Sequence, residues 1–341
     1  MIDAVAALGP AAPGTLAQVD AGTVVSVLVD GLSKAAIYVM IAAGLTLIFG
    51  LMGVLNFAHG SLTMLGAYAG GLVLVVAISS GSGALTRLAV FFAAVVAVFA
   101  ALTAVGAALE VTLVRPLYDR PPLYQILLTF GLTLIFDEFA RMVVEFYGLQ
   151  PRSAWQEAVG TKPEFLAESN AYDVAGAPVV GLDLFEIVLG VVTVAAIWGF
   201  LTRTRYGLYI RAGSEDAEMA EALGINIRRA FTVVFGVGVG VAGAAGVLLA
   251  WDTAWGASVP LGAETLLPAF VVVIIGGLGT FRGTVLAALL VGMVDGLMTY
   301  VFNSGIVEFP GLPELTVFLT LVVMLIVRPQ GLAGVEEVGG H

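Results

Sequence analysis

The sequence predicts an all-α, polytopic transmembrane helical bundle, and three observations lead to this fold class. Of the 341 residues, 60% are hydrophobic and only 11% are charged, which is too apolar for an ordinary soluble domain. Apolar stretches of roughly 20 residues recur along the chain, and each can cross a hydrocarbon core about 30 Å thick as a helix. The 43 glycines fit the same class, because helices in lipid approach one another closely through small side chains.

Apolar runs between charges and Pro/Gly clusters predict about eight to ten helices. We place nine spans at 24–49, 57–78, 88–113, 124–146, 183–201, 229–250, 266–280, 284–302 and 312–327. The glycines around 50–60 predict a broken helix inside the membrane. Two glycine pairs spaced four apart, Gly66 with Gly70 and Gly236 with Gly240, predict close contacts between helices.

The arginines predict the orientation, because basic residues concentrate on the cytoplasmic side of membrane proteins. When nine spans are counted, the connections on one side contain Arg115, Arg120, Arg203, Arg205, Arg211, Arg228, Arg229, Arg282 and Arg328. We therefore expect an external N-terminal segment at 1–23, a transmembrane domain at 24–332 and a cytoplasmic tail at 333–341. The acidic loop at 148–181 then lies outside, either as a solvated cover or as a contact for a soluble partner. No basic region precedes the first apolar run, so no cleaved signal peptide is expected.

Composition also excludes several classes of function. The chain has no cysteine, so it can form neither a disulfide nor a thiolate metal site. His59 is the only histidine before the C-terminal residue, which excludes a cluster of several histidines and leaves no recognisable Ser-His-Asp set. The net charge of −11 argues against nucleic-acid binding. We therefore expect no catalytic residues, no metal and no cofactor.

One short sequence occurs twice in the chain. Residues 44–49 and 131–136 both read GLTLIF, in spans that the arginines orient oppositely. Inverted repeats are common in transporters, with the substrate near the repeat interface. Six apolar residues can also match by chance, and both interpretations are open.

In two of the predicted spans, charged residues suggest either salt linkage or a proton relay. Asp137, Arg141 and Glu145 are spaced four apart, with Glu138 beside them, and Asp295 lies deeper in its own span. Such residues in a membrane usually pair with one another or face water. A salt-linked helix face is favoured here over a proton relay.

The most informative membrane segment is residues 44–70. Asn56, His59 and Thr63 are spaced three and four apart, which predicts an amide, an imidazole and a hydroxyl on one helical face. Polar groups in lipid are costly, so they either bond across to another helix or line a path for a solute. Both interpretations are open. The candidates for a translocation path are Thr46, Asn56, Phe57, His59 and Thr63.

The second informative segment is the polar connection at 203–229. Ser214 is a plausible N-cap, acidic residues follow it in the first turns, and Gly224 is a natural terminator. This pattern predicts a short helix at about 215–223 that lies parallel to the membrane. The helix either docks on a partner or is a solvated loop helix.

At this point several segments together resemble a known family. They are NFAHGSLTMLGAY at 56–68, RYGLYIRAGSEDAEMAEALGINIRRA at 205–230, PAFVVVIIGGLGTFRGTVLAALLVGMVDGL at 268–297 and IVRPQGL at 326–332. They resemble the inner-membrane permeases of branched-chain amino acid ABC importers, of the LivH type. The resemblance extends over 31–332.

This resemblance implies partners and a role for the connection at 203–229. Such a permease lies in the plasma membrane. It acts with a homologous second permease, two ATP-binding subunits and an external substrate-binding protein. A short coupling helix seats in a cleft of the ATPase, and E-A-x-G at 221–224 matches its usual core. The coupling residues implied are Glu215, Asp216, Ala220, Glu221, Ala222, Leu223 and Gly224. The chain has no G-x-x-x-x-G-K-[ST] loop, so a partner must hydrolyse ATP.

Three alternatives remain at this point. Related urea permeases typically have Met at the position of Phe57, which favours amino acids here over urea or short amides. A carrier driven by an ion gradient would explain the broken helix and the acids in the membrane, but not the connection at 203–229. An intramembrane enzyme would need a catalytic set that the sequence does not contain.

Overall fold

The computed structural model describes residues 20–307, 309 and 311–334, and over these the chain is an all-α bundle. Within the described residues, nine helices coincide with the nine predicted spans: α1 Ala21–Met52, α2 His59–Ala77, α3 Ala84–Leu109, α4 Pro122–Phe146, α6 Gly181–Arg203, α9 Ile227–Leu249, α10 Leu261–Gly276, α11 Phe281–Asn303 and α12 Leu312–Val327. The shorter elements are α5 Gln156–Val159, β1 Tyr172–Val174, β2 Ala177–Val179, α7 Arg205–Glu215 and α8 Ala217–Ala222. Most of the predicted segments 1–23 and 333–341 lies outside the described residues.

The nine helices differ in how well they suit a membrane. Six of those described are long and apolar enough to cross it. α10 and α12 are apolar but have 16 residues each. α4 has 25 residues and carries four charged side chains, all in its second half. α4 is therefore the unusual member of the bundle.

α1 and α9 form the core of the bundle. In their most apolar stretches 83% and 78% of the residues are buried, against 22% in α3 and 17% in α6. α1 packs against α6, α9, α10 and α11, and α9 packs in addition against α2 and α3. The other helices thus surround a central pair.

The predicted break after α1 is confirmed. α1 begins at the N-cap Asp20 and ends at Gly53, whose φ of +63° is the left-handed conformation that glycine adopts readily. Six residues, 53–58, then return the chain before α2 starts at His59. The His59 ring lies against Ile41, roughly 16 Å back along the axis of α1 from its end. The break therefore runs back into the bundle from the end where Gly50 meets Gly279, with Gly53 exposed and Asn56 and Ala58 buried.

Glycines let three helices touch through their backbones, as the glycine pairs predicted. A Cβ on Gly66 of α2 would lie 2.5 Å from the Cα of Gly243 in α9. A Cβ on Gly240 would lie 2.2 Å from the hydroxyl of Thr103 in α3. Both distances are far below van der Waals contact, so only glycine fits at these positions.

A packed cover closes the end of the bundle where α4 finishes, which we call the hairpin end after β1 and β2. Trp251 is fully buried there, and its ring stacks on Phe91 with centroids 4.2 Å apart. Its indole N–H donates to the Thr161 hydroxyl at 2.8 Å, and Lys162 Nζ donates to its carbonyl at 3.2 Å. The loop predicted at 148–181 is thus fixed to the bundle.

Glu168 adds a charged contact to this cover. Its Oε1 accepts hydrogen bonds from Lys162 Nζ at 2.6 Å and from the Thr253 hydroxyl at 2.7 Å. Burial raises the pKa of this carboxyl, but its hydrogen bonds and the charge of Lys162 together outweigh burial and hold the pKa below its ordinary value. The carboxylate therefore remains charged at neutral pH and ties the cover to the loop after α9.

The opposite end of the bundle carries the arginines of 203–229, and we call it the Arg-rich end. α10 ends here, and the last carbonyls of a helix have no partner within it. The segment after α12 supplies donors: Leu332 N donates to Ile275 O at 2.7 Å, and Ala333 N donates to Gly276 O at 3.1 Å. The IVRPQGL sequence thus completes the end of α10.

The two GLTLIF copies occupy unlike environments. A Cβ on Gly44 would lie 2.3 Å from a carbonyl oxygen of α9, whereas a Cβ on Gly131 would meet nothing within 4 Å. Thr46 is buried, and its hydroxyl lies 2.8 Å from that of Thr284. Thr133 donates only to a carbonyl of its own helix. The similarity between residues 44–49 and 131–136 is therefore limited to their sequences.

We expect Gly246→Ala to destabilise the bundle, because a Cβ there would lie 2.1 Å from Thr63 O and would push α2 away from α9. Overpacking of this kind lowers the free energy of unfolding by roughly 1–3 kcal/mol. Gly131→Ala is the matched control, since it adds the same atom to open space. Thermal unfolding of the two detergent-solubilised variants measures the difference. Equal midpoints would contradict the close approach of α2 and α9.

Candidate translocation path and coupling surface

The predicted polar stripe does not lie on one helical face, and the prediction is wrong for Asn56. His59 and Thr63 lie in the first turns of α2, but Asn56 precedes the helix. Its Oδ1 accepts a hydrogen bond from Ala58 N at 3.1 Å, a local turn that competes with helix formation. Its Nδ2 is buried and has no hydrogen-bond partner among the described residues. The left-handed residue Gly53 ends α1, and the chain stays non-helical until His59.

His59 and Thr63 make their contacts inside the bundle. His59 is fully buried, and its Nε2 lies 3.0 Å from the carbonyl oxygen of Ile41 in α1. A carbonyl can only accept, so Nε2 carries the proton in this contact. The Thr63 hydroxyl donates to the carbonyl of His59 at 3.1 Å. In the single chain these groups bond within the fold and do not reach an open surface.

The other two path candidates differ from each other. Thr46 is 2% exposed and its hydroxyl lies near that of Thr284, so it joins α1 to α11. Phe57 is half-buried, and its ring lies 5.1 Å from the ring of Phe270 in α10. Phe57 is therefore the one path candidate that retains clear exposure in the single chain.

Sequence reasoning missed an apolar crevice between α2 and α4. It opens near the hairpin end with a volume of about 490 Å³. Leu65 and Leu72 of α2 face Phe139 and Val143 of α4 across it, and Trp155 forms its roof. The size falls in the range of roughly 300–1,000 Å³ typical of small-molecule sites. The only signal in the sequence is the spacing of apolar residues, which ordinary helix packing shares.

A charged cluster lies between α1 and α11. Lys34 Nζ donates to Asp295 Oδ1 at 2.7 Å and lies 3.7 Å from Asp30. The hydroxyl of Tyr38 donates to the other carboxylate oxygen of Asp295, and Thr299 also bonds to the cluster. Asp295 is thus part of a hydrogen-bonded ion pair that holds the two helices together, as the salt-linked interpretation predicts.

The charges of α4 are arranged differently from the predicted stripe. Arg141 pairs with Glu138 at 3.3 Å, and both side chains remain substantially exposed at 44% and 63%. Asp137 points instead toward α2, where its Oδ1 accepts a hydrogen bond from the Ser61 hydroxyl at 2.7 Å. The predicted stripe of Asp137, Arg141 and Glu145 is therefore not salt-linked along its length. Asp137 bonds to α2, and Arg141 pairs with Glu138 on the exposed side of α4.

The predicted coupling helix begins later than expected. α7 extends to Glu215, and Ser214 lies inside it, with its hydroxyl donating to Arg211 O at 3.0 Å. Asp216 is the N-cap of α8 and accepts from Met219 N at 2.8 Å. The prediction of Ser214 as N-cap is therefore wrong. Ser214 and Asp216 are both good capping residues, but Ser214 lies in the last turn of α7 and Asp216 caps α8.

The end of the helix is as predicted. Gly224 follows α8 with φ at +85°, and a Cβ there would meet nothing within 4 Å. Met219 in α8 is 57% exposed and Leu223 directly after it is 76% exposed, so both present apolar side chains that the described residues do not cover. Ala220 is buried against the chain and is not available for docking. The other predicted coupling residues are exposed: Glu215, Asp216, Glu221, Ala222 and Gly224.

Comparison with known proteins identifies a family for the chain. The model of the family described as "Branched-chain amino acid transport system / permease component" matches residues 27–328. The high-affinity branched-chain amino acid transport system permease protein BraD of Pseudomonas aeruginosa is 29% identical over 317 residues, covering 91% of this chain and 96% of BraD. LivH of Escherichia coli K12, a permease of the same description, is 26% identical, with 91% and 95% covered. A chain of PsaBC from Streptococcus pneumoniae in complex with Fab has a TM-score of 0.44 at 12% identity, covering 88% and 91%.

We expect Asp295→Leu to remove the closest charged partner of Lys34, leaving only the longer contact to Asp30 at 3.7 Å, and to lower the free energy of unfolding by up to about 3 kcal/mol. The matched control is the double variant Lys34→Met/Asp295→Leu, which removes both charges and should recover most of the loss, since an apolar pair can replace a buried ion pair. Chemical unfolding in detergent measures both. A single variant that is fully stable but inactive in transport would instead favour a proton relay.

Proposed function

Because the chain belongs to the family of branched-chain amino acid transport system permease components, we propose that it forms the membrane path of an ATP-driven importer of leucine, isoleucine and valine. The match to the family model over residues 27–328, nearly the whole bundle, carries this proposal. The chain is a transport subunit and not an enzyme. The printed descriptions of BraD and LivH, which match along nearly their full lengths, support the choice of solute.

Permeases of such importers act together with ATPase and substrate-binding subunits. We propose that this chain pairs with a homologous second permease, two ATP-binding subunits and an external substrate-binding protein. The absence of a P-loop sequence supports a separate source of ATP hydrolysis. In such an arrangement the soluble protein selects the solute, and the permease contributes little affinity of its own.

The arginines support a defined orientation of this multi-pass membrane protein. We propose that the Arg-rich end faces the cytoplasm, since basic residues concentrate there. The N-terminus and the packed cover at the hairpin end then lie outside, where a binding protein would dock, and the C-terminus lies inside. On this assignment α7 and α8 face the ATPase.

We propose that α8 and Gly224 form the contact with the ATPase. α8 lies at the Arg-rich end, and its exposed Met219 and Leu223 are suited to an apolar cleft. The acids around them, Glu215, Glu218 and Glu221, remain free to meet basic groups of a partner. A permease without its own nucleotide site needs such a contact to respond to hydrolysis.

The alternatives have less support. An ion-driven carrier would leave the exposed apolar side chains of Met219 and Leu223 without a role, and Asp295 is held in an ion pair. Glu186, a buried acid in α6, accepts a hydrogen bond from the Ser33 hydroxyl. A urea or short-amide permease of the same family would share the fold, so the solute must be measured.

Reconstitution with ATPases and a binding protein from the same organism tests the proposal. We expect ATP-dependent uptake of labelled leucine into vesicles, competed by isoleucine and valine and not by urea. Titration of these amino acids into the isolated permease should give weak or no heat. Uptake that persists with an inactive ATPase and follows an ion gradient would refute the importer.

We expect Gly224→Val to weaken ATPase association or uncouple hydrolysis from uptake, because a β-branched residue is strained at φ +85°. Gly148→Val is the matched control, since Gly148 has φ +74°, equally open surroundings and a place at the opposite end. Co-purification with the ATPase and vesicle uptake are the measurements. A Gly224→Val permease that still co-purifies with the ATPase and takes up substrate at the normal rate would show that α8 is not the coupling contact.

A further inference from the structure

α4 is attached to its own bundle along one narrow face. Asp137 accepts from Ser61 at 2.7 Å, and the Thr129 hydroxyl donates to Leu55 O in the break at 3.2 Å. Apart from these anchors it packs mainly against α2, whereas α1 packs against four helices. Most of the circumference of α4 is therefore uncovered by the described chain.

The uncovered side of α4 carries a continuous stripe. At about 100° per residue its members fall within an arc of roughly 80°. They are Leu127, Phe130, Leu134, Glu138, Arg141 and Glu145, and all are exposed. The spacing of three and four residues is that of a helix face that packs along another helix. We call this set the α4 stripe; its first half is apolar and its second half is charged.

The charged half does not suit contact with lipid. Exposed faces elsewhere in the bundle have the composition expected for lipid, with Val188, Val191 and Val192 on α6. On α4 the side chains of Glu138 and Arg141 are exposed. Glu138 lies about 12 Å before the end of the helix, and Arg141 lies about 8 Å before it. Charged side chains within membrane segments pair or face protein and water. The charged half of the stripe therefore contacts protein, lipid headgroups or water and not hydrocarbon.

We propose that the α4 stripe is the surface on which the second permease subunit docks. The proposal rests on the proposed function in one respect, that the importer contains two permeases. In a pair related by a two-fold axis along the membrane normal, equal depths meet, so Arg141 lies level with position 141 of a partner of the same kind. Its long side chain can then reach the carboxylates at positions 138 and 145 of that partner, each about one helical turn away. The stripe carries both signs of charge at this depth and apolar side chains below, which is complementary to a copy or homologue of itself.

Photocrosslinking in the complete importer tests the docking surface. The photoreactive residue p-benzoyl-phenylalanine is placed at position 127 or 134, or at position 191 on α6 as the lipid-facing control. After irradiation in nanodiscs, positions 127 and 134 should give a permease–permease product whose two chains mass spectrometry identifies, with at least fivefold greater yield than position 191. Equal yields, or lipid adducts alone at both α4 positions, would overturn the proposal.

A charge reversal tests the electrostatic part. Arg141→Glu should reduce the fraction of paired permeases at least fivefold in native mass spectrometry, while Arg120→Glu, an exposed reversal outside the stripe, should leave it unchanged. Thermal unfolding shows whether each variant is folded, and the crosslinking result does not depend on it. Unchanged pairing in folded Arg141→Glu would contradict the charge match. Neither experiment reads transport, so an importer of another solute would still give the expected result.

Discussion

Irregular backbone in a membrane must find its hydrogen bonds within the protein, because lipid offers none. The six residues between α1 and α2 meet this constraint with neighbours from several directions. Gly53 N donates back to Phe49 O at 2.8 Å, and the side chain of Asn56 accepts from Ala58 N. The carbonyl of Leu55 accepts from Thr129 in α4. The break is thus held by hydrogen bonds to the end of α1, within itself and to α4.

This arrangement depends on how closely the helices approach. Gly44, Gly66 and Gly246 bring α1, α2 and α9 into backbone contact, and the His59 ring fits between them. The same α4 that bonds to the break presents the proposed docking stripe on its other side. A shift of α4 at a subunit interface would therefore be felt directly at Leu55 and Ser61.

Much of the fold could be predicted from the sequence, since hydropathy is a strong signal and all nine spans coincide with helices. Local geometry was harder, because Gly53 adopts a left-handed conformation that ends α1 and removes Asn56 from the helical face. Ser214 and Asp216 are both good caps, and only the length of α7 decides between them. The charged residues of α4 are evident in the sequence. Which of them turns inward is decided by packing against α2, where Ser61 donates to Asp137, and the sequence does not show this contact.

The end of α10 has a consequence for biosynthesis. Its last carbonyls, on Ile275 and Gly276, accept hydrogen bonds from Leu332 and Ala333, which follow two further membrane helices along the chain. Translation is vectorial, so a nascent chain holding α10 in the membrane lacks these donors until α11 and α12 have left the ribosome. Emergence of residues 332 and 333 thus supplies the bonds that finish a helix made much earlier.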